Sequence, residues 1–320
     1  MGVLASKKVA LVFPGQGSQA VGMGKDLVGS FLAAADVFSR ADAVLGYPIS
    51  DLCFNGPEDD LKQTINTQPA LYVTSAAAYH ALAGIRPQPP TPNSQPLACA
   101  GHSVGEYAAL YAAGAFSFET GLRLVRKRAE LMQQAAETRP GTMAAILGLS
   151  PEQVQEAVEK ASGAGVVVAA NFNSPIQTVI SGDKAGVARA SEIAAEMGAK
   201  RVVALNVSGA FHSPLMQSAA DALAEVLKAS GISDPTVPVV ANYTADFETT
   251  ADQVRENLAK QITGGVRWVE SVQRMLDAGI DAFIELGLGS VLAGLIKRIA
   301  PDAEVHSVGD KASVEELLAL

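Results

Sequence analysis

The sequence predicts an α/β protein in two parts, a large domain with a mainly parallel sheet and a small inserted domain. Three observations lead to this prediction. Short apolar runs such as 8–13 and 97–100 precede glycine-rich turns and helices, a pattern typical of buried parallel strands. Between residues 141 and 205 the order of elements changes to βαββαβ. The 320 residues, of which 48% are hydrophobic, also suffice for a sizeable core.

Composition and charge argue against several classes of protein. A net charge of −9 does not favour nucleic acid or an anionic membrane as partner, because a phosphate-binding surface needs a basic face. No apolar run approaches the length of a membrane span, and no targeting peptide precedes the first strand. Cys53 and Cys99 lie in apolar surroundings, which indicates a reducing compartment without disulfides. We expect a monomer in the cytoplasm.

The stretch Leu97–Leu110 predicts a strand, a sharp turn and a helix, the arrangement that exposes a nucleophilic serine. Gly101 and Gly105 remove the side chains that would clash in the turn. Ser103 is left at the tip, where free N–H groups of the helix start can stabilise an oxyanion. The alternative is an incidental Gly/Ser turn, which the flanking strand and helix disfavour.

A second glycine-rich loop, Pro14–Gln19, follows the first strand at its carboxyl end, where ligand sites of open α/β sheets gather. It resembles a phosphate-binding turn. The Lys-Ser/Thr pair of a P-loop is missing, and the third glycine is misplaced for a dinucleotide fingerprint. The loop therefore gives little support for nucleotide binding.

Two helical segments between the Pro14–Gln19 loop and the serine turn are interpreted as scaffold, and a surface loop follows them. Helical patterns cover about 30–45 and 68–83, the second opening with the helix-start signal Thr67-Gln68-Pro69. Five prolines between residues 84 and 96 predict a surface loop.

A helix predicted from Ser117 to about Glu137 carries a cation in its apolar half. Projection at 100° per residue places Arg128 among the apolar side chains and the other cations opposite. A buried guanidinium keeps its proton and needs an anionic or hydrogen-bonding partner, yet no acidic residue shares its half of the helix. Two partners remain open, a carboxylate from elsewhere in the chain or the carboxylate of a ligand.

The segment between residues 141 and 205 predicts the split or ferredoxin-like arrangement. We place its boundaries at 139–206, with 1–138 and 207–320 forming the large domain. Its predicted strands are 142–147, 166–171, 177–181 and 201–205, and its helices 151–161 and 184–197. Beyond it, strands are predicted at 237–242, 281–285 and 304–307, and helices after 213, at 250–261, at 268–278 and from 290.

A serine nucleophile needs a base, and the chain has four histidines. His80 lies in an alanine-rich helix and His306 in the last strand, and both are interpreted as structural. His102 adjoins Ser103, so its side chain leaves the turn in another direction. His212, in a loop of small residues before a helix, remains as the candidate general base. No acid stands at a third triad position, and a backbone carbonyl could orient the imidazole instead.

From about Val9 to Leu295 the chain resembles the malonyl-CoA:acyl carrier protein transacylases of bacterial and plastid fatty acid synthesis. Five segments in the same order carry the resemblance: Phe13–Gln19, Gly101–Glu106, Lys127–Gln133, Asn173–Gln177 and Ala210–Met216. The resemblance implies a large α/β-hydrolase-like domain with a ferredoxin-like insertion, in agreement with the pattern of strands and helices.

The resemblance also implies roles for individual residues. Ser103 would take the malonyl group as an ester, and His212 would act first as base and then as acid. Backbone N–H groups of Gln16 and Val104 would form the oxyanion hole, and Gln16 would also border the substrate. Arg128 would bind the free carboxylate of malonate.

Two more roles follow from the resemblance, together with one departure from it. A backbone carbonyl near Gln261 would orient His212, and Phe211 would fill the space that an α-methyl group needs. The chain departs from the family at Gly265, where a proline is usual.

The implied activity moves malonyl from malonyl-CoA to the phosphopantetheine thiol of acyl carrier protein in two steps, and supplies extender units for fatty acid synthesis. No metal and no cofactor beyond these substrates is expected, and the resemblance implies the plastid stroma as the location of a mature plant or algal form. Three alternatives remain: a polyketide pathway's malonyl transferase, a serine esterase or thioesterase that shares the serine turn, and a silent interaction module. The candidates for docking an acidic carrier, which could equally form a solvated charged face, are Arg123, Arg126, Lys127, Lys200 and Arg201.

Overall fold

The computed structural model describes residues 7–84 and 96–319, which form two sheets surrounded by helices. The strands are β1 (Val9–Phe13), β2 (Ala98–Gly101), β3 (Thr142–Leu147), β4 (Val167–Ser174), β5 (Gln177–Gly182), β6 (Arg201–Ala204), β7 (Val239–Val240), β8 (Phe247–Glu248), β9 (Ala282–Leu286) and β10 (Glu304–Val308).

The helices alternate with these strands along most of the chain, as the sequence patterns predict. They are α1 (Lys25–Ser30), α2 (Leu32–Leu45), α3 (Ile49–Asn55), α4 (Glu58–Lys62), α5 (Thr64–Ala83), α6 (Gly105–Ala112), α7 (Phe118–Thr138), α8 (Pro151–Ala161), α9 (Lys184–Glu196), α10 (Gln217–Lys228), α11 (Ala251–Gln261), α12 (Trp268–Asp277), α13 (Val291–Ile299) and α14 (Lys311–Ala319). Short 3-10 helices cover Ser162–Ala164 and Pro214–Met216.

The larger sheet has the strand order β10-β9-β1-β2-β7-β8, and its neighbours are parallel except for the β7–β8 pair. Alternate residues of β1 face opposite sides. Leu11 and Phe13 enter the hydrophobic core that contains α5 and α7, whereas Ala10 and Val12 pack with Trp268 of α12. Both faces are thus covered, which explains why the strands read as continuous apolar runs.

The smaller sheet has the order β4-β5-β3-β6 with antiparallel neighbours, the ferredoxin-like arrangement predicted from the sequence. One face forms its own core with α8 and α9, built around residues such as Ile146, Val154 and Ile193. Met143 and Val179 belong to the other face and join the core of the large sheet. The mixed α/β architecture is therefore confirmed, while the boundaries at 139–206 stay a prediction.

Some element boundaries differ from prediction. The helix expected to open at Thr67-Gln68-Pro69 begins at Thr64, so that start was wrong, and Pro69 lies inside α5. Pro69 lacks the N–H that a helix interior normally uses. The helix continues because nearly its whole circumference is buried, and Thr67 Oγ1 also ties its first turn to α4 by donating to Leu61 O at 2.5 Å. Tertiary packing here overrides the local signal.

Three other differences are smaller. The helix predicted at 30–45 corresponds to α2, which begins at Leu32, and the strand predicted at 237–242 shortens to β7. Five short elements were not predicted: α1, α3, α4, β8 and the 3-10 helix at 162–164. The proline-rich loop prediction falls mainly on 85–95, outside the described residues. None of the described helices is long and apolar enough to cross a membrane.

Candidate active site

The nucleophile turn lies where β1, β2 and β7 end side by side. Ser103 follows β2 and precedes α6, and its φ of 53° lies in the left-handed region that side chains rarely adopt. A Cβ on Gly101 would lie 2.0 Å from the carbonyl carbon of Gly105, and a Cβ on Gly105 would lie 2.1 Å from Phe13 O. Both glycines are therefore required sterically, for close approach rather than for an unusual φ.

The hydroxyl of Ser103 meets the imidazole of His212, at 2.8 Å between Oγ and Nε2. His212 Nδ1 lies 2.8 Å from Gln261 O and 3.2 Å from Gly264 O. Since carbonyls only accept, Nδ1 carries the proton and Nε2 is free to accept one from the serine. The carbonyl contact predicted near Gln261 is present although Gly265 replaces the usual proline.

The environment keeps His212 neutral. Its exposure is 3%, and burial together with the nearby charge of Arg128 lowers its pKa to about 3. The carbonyls of Gln261 and Gly264 act in the opposite direction. His212 also has a positive φ, 57°, so both members of the pair are held in strained backbone. A neutral imidazole beside a hydroxyl can serve as a general base.

The side chain of Arg128 projects from α7 towards Ser103, and its exposed fraction is 1%. Nη1 donates to Gln68 Oε1 at 2.6 Å, and Nη2 donates to Gln261 Oε1 at 2.9 Å and to Ser103 Oγ at 3.0 Å. Nε is buried without a partner, and the ring of Tyr107 lies 5.7 Å from the guanidinium carbon. No carboxylate of the described residues pairs with it directly. The guanidinium thus keeps a full charge among neutral hydrogen-bond partners, which suits an anionic ligand.

Two side chains that sequence reasoning missed hold the backbone of Ser103. Asn242 Oδ1 accepts from Ser103 N at 2.7 Å, and Asn242 Nδ2 donates to Gly101 O at 2.6 Å. The side chain of Gln261 donates through Nε2 to Ser103 O at 3.0 Å. The position of Asn242 at the carboxyl end of a predicted strand was the available signal, because strand ends converge at one edge of the sheet.

Glu106, within the serine motif itself, was also missed. It is fully buried, and its Oε2 accepts from Asn242 N and from Gln261 Nε2, each at 2.9 Å. Burial raises its pKa to about 7, although both hydrogen bonds and the charge of Arg128 act in the opposite direction. Gln68, on the far side of Arg128, gave no sequence signal beyond its place near a helix start.

A cavity of about 80 Å³ brings most of the predicted residues together. The predicted residues that line it are Gln16, Ser103, Val104, Arg128, Phe211 and His212. The amides of Gln16 and Val104 donate to no other group in the described part of the chain, so they are available to an oxyanion. Gln261 does not line the cavity, but it contacts Ser103, Arg128 and His212 from behind the lining residues.

The remaining histidines lie in other surroundings. His102 Nε2 is 2.8 Å from Asn173 Oδ1 of β4, so it links the turn to the smaller sheet. His80 bonds to Tyr111 OH, and His306 pairs with Glu304. Selecting His212 by elimination therefore agrees with the geometry.

Comparison with known proteins identifies the family. Residues 10–314 match the family model described as acyl transferase domain. The malonyl CoA-acyl carrier protein transacylase of Bacillus subtilis (strain 168) is 44% identical over 311 residues, covering 96% of this chain and 95% of that protein.

Solved structures agree. An acyl-carrier-protein S-malonyltransferase from Burkholderia pseudomallei 1710b has a TM-score of 0.92 and 44% identity, covering 98% of this chain and 100% of that one. A malonyl-transacylase in complex with a type II polyketide synthase acyl carrier protein has a TM-score of 0.92 and 39% identity, covering 98% and 99%. The chain therefore belongs to the family of malonyl CoA-acyl carrier protein transacylases, which are acyltransferases.

Proposed function

We propose that this protein transfers the malonyl group from malonyl-CoA to the phosphopantetheine thiol of acyl carrier protein, through a malonyl ester on Ser103. The family supports the overall reaction and both partners. One observation of the site carries the proposal. Arg128 is buried beside Ser103 Oγ with only neutral partners, and such a cation suits a substrate whose acyl group ends in a carboxylate.

In the first step, Ser103 Oγ attacks the thioester carbon of malonyl-CoA while His212 Nε2 takes the hydroxyl proton. The oxyanion that forms is within reach of the free amides of Gln16 and Val104. The C–S bond then breaks, His212 returns the proton to the sulfur, and coenzyme A leaves. Malonyl remains as an ester on Ser103.

The second step reverses this sequence with a different thiol. The phosphopantetheine thiol of the carrier gives its proton to His212, and its sulfur attacks the ester carbon. The C–O bond breaks, Ser103 regains a proton from His212, and malonyl leaves as a thioester. Arg128 holds the acyl carboxylate throughout, which keeps the ester oriented for the thiol. Phe211, buried in the cavity wall, would exclude an α-methyl group.

An acidic carrier favours a basic docking surface. Arg123, Lys200 and Arg201 are exposed, whereas Arg126 and Lys127 both lie beside Glu130 and are partly neutralised. We therefore propose the first three as docking candidates. Cytoplasmic localisation, a monomeric state, independence from metal or cofactor, and the absence of nucleic-acid or membrane partners stay predictions.

Intact-protein mass spectrometry tests the proposal. The enzyme is mixed with malonyl-CoA or acetyl-CoA, with Ser103→Ala as the matched control. We expect a malonyl adduct that requires Ser103, exceeds the acetyl adduct and disappears when holo carrier protein is added. Comparing carriers from fatty acid and polyketide synthesis at equal concentration tests the pathway, and faster transfer to the former is expected.

Two results would contradict the proposal. Equal adducts from acetyl-CoA and malonyl-CoA would mean that the carboxylate is not recognised. Rapid loss of the adduct to water without carrier would favour the esterase or thioesterase instead.

A further inference from the structure

Two buried side chains of opposite charge lie near Ser103 without touching each other. Arg128 has 1% exposure and Glu106 has none. Within residues 7–84 and 96–319, the direct partners of Arg128 are neutral, and the carboxylate of Glu106 accepts only from a backbone amide and a glutamine amide. A buried charge is unfavourable unless an opposite charge lies close enough to compensate it. Arg128 and Glu106 make no direct contact, so each compensates the other across a short distance.

The side chain of Gln261 lies between them and is oriented by both. Its Oε1 accepts from Arg128 Nη2 at 2.9 Å, and its Nε2 donates to Glu106 Oε2 at 2.9 Å. The second Nε2 hydrogen goes to Ser103 O at 3.0 Å. The amide dipole therefore places its negative end on the cation and its positive end on the anion, which strengthens both hydrogen bonds.

We propose that Glu106 is a positioning residue that acts through Gln261, balancing the charge of Arg128 without occupying the guanidinium, and that it thereby weakens and tunes the binding of the malonyl carboxylate. This inference rests on the proposed function. A carboxylate bound directly to Arg128 would compete with the substrate for the guanidinium fork. A carboxylate one amide away compensates the buried charge and leaves donors for the substrate.

Moderate binding of malonyl is useful to a transferase. Interactions that stabilise the ester more strongly than the transition state slow its passage to the second thiol. The negative charge of Glu106 lowers the potential felt by the malonyl carboxylate, and so opposes a long-lived ester.

The groups around Glu106 come from several elements. Gln261 approaches from α11, Asn242 from the segment after β7, Arg128 from α7 and Glu248 from β8. Burial and the neighbouring Glu106 raise the pKa of Glu248 well above its usual value, which disfavours the charged form of Glu248. Oε1 of each glutamate and Tyr107 OH are buried and have no partner in the described part of the chain.

Glu106 is consequently the carboxyl of this cluster that ionises near neutrality, because its pKa is raised to about 7. At pH 8 it is largely charged and compensates Arg128. At pH 6 it is largely neutral, and the potential at Arg128 becomes more positive. Malonyl binding should therefore tighten as the pH falls through about 7.

The test compares Glu106→Gln with the matched control Glu248→Gln. A glutamine carbonyl at 106 can accept the same two hydrogen bonds, so the change removes charge and keeps shape. Glu248→Gln makes the same substitution at the neighbouring buried carboxyl, which does not contact Gln261 and can still accept from Asn257. At pH 8 we expect Glu106→Gln to lower both KM for malonyl-CoA and Ki for free malonate by about tenfold. Acetyl transfer should change by a smaller factor than malonyl binding, and Glu248→Gln should match the wild type.

The wild-type enzyme provides a second measurement that does not depend on a variant. Its Ki for malonate, measured against Ser103 acetylation, should fall between pH 8 and pH 6, and Glu106→Gln should abolish this change. An unchanged or raised Ki in Glu106→Gln, an equal loss of malonyl and acetyl transfer, or a flat wild-type profile would each overturn the inference. Acetylation of Ser103 without any malonyl adduct would instead refute the proposed function, so the two failures are distinguishable.

Discussion

Two segments hold Ser103 and His212 in the same cavity, and different kinds of contact stabilise the two segments. Contacts close in sequence shape the turn of residues 97–110, such as Gly105 N donating to His102 O at 2.9 Å, and the distant side chains of Asn242 and Gln261 then hold it. Residues 261–266 orient His212, and the hydrogen bonds that hold this segment come from residues distant in sequence.

The contacts of that second segment come from the smaller sheet. Val266 N donates to Ala170 O at 2.7 Å, and Phe172 N donates to Val266 O at 2.9 Å. These bonds join the segment to β4, more than ninety positions earlier in the chain (266 − 170 = 96). The shape of the nucleophile turn is thus set mainly by neighbouring residues, whereas the orientation of the base depends on how the two sheets meet.

The largest effect should come from breaking the local segment with Gly105→Ala. Its Cβ would lie 2.1 Å from Phe13 O, so the turn or β1 must move. We expect a cost of about 3 kcal/mol, measured by chemical denaturation, and a fall of about 100-fold in Ser103 acylation.

Gly29→Ala is the matched control, because Gly29 lies in α1 with nothing within 4 Å of a new Cβ. Its stability should be unchanged or slightly raised. Normal activity in Gly105→Ala would refute the steric requirement of the turn.

The next effect concerns Arg128, which contacts both segments through Ser103 and Gln261. Arg128→Ala should reduce malonylation of Ser103 by about 50-fold, since a charge-assisted contact and its orientation are lost. Acetylation should persist within a few-fold, as measured with both thioesters.

Arg123→Ala on the exposed face of the same helix is the control, and it should leave acylation by both thioesters unchanged. A parallel loss of malonylation and acetylation in Arg128→Ala would indicate a damaged fold rather than lost recognition.

The sequence predicted the local segment well and the distant one poorly. Gly101, Ser103 and Gly105 form a motif whose turn geometry is determined by neighbouring residues, so spacing alone located it. Asn242 and Gln261 were not predicted as side-chain partners of Ser103, because their contacts span more than a hundred residues. Hydrogen bonds of this kind leave no period or spacing in the sequence.

The same distinction applies to the fold. The amphipathic pattern and serine cap of α7 identified that helix, and the alternation of elements gave the order of the smaller sheet. The predicted start of α5 was wrong because burial allows Pro69 to lie inside the helix, and no local sequence signal reveals this burial. The sequence predicted the environment of Arg128 only in part. The helix projection indicated a buried side chain, but only the structure shows that its partners are neutral.

A pH experiment tests the distant segment through His212. Burial and Arg128 lower its pKa from 6.5 to about 3, so the folded protein keeps it neutral. Acetylation of Ser103, which avoids the malonyl carboxylate, should therefore show no loss of base between pH 8 and pH 5. An ordinary histidine would lose about 30-fold over this range.

The same shift affects stability. Since the folded pKa is depressed, the stabilisation is complete above about pH 6.5 and is lost as the pH falls towards 3. By pH 5 the wild type should lose about 2 kcal/mol more than His212→Gln, relative to pH 7. Equal losses in the two proteins would show that His212 titrates normally.

The smallest effect should come from restoring the proline that the family usually has, with Gly265→Pro. Gly265 N donates to no partner within residues 7–84 and 96–319, so proline removes no hydrogen bond there. The preceding Gly264 tolerates the backbone that proline requires. A Cβ would lie 3.1 Å from Ala170 O, close enough to shift β4 by a few tenths of an ångström. We expect acylation within threefold of wild type and an unchanged pH profile, because Gln261 O still accepts from His212. A loss beyond tenfold would mean that the carbonyls facing His212 move with β4, and that the smaller sheet controls the base more tightly than this contact indicates.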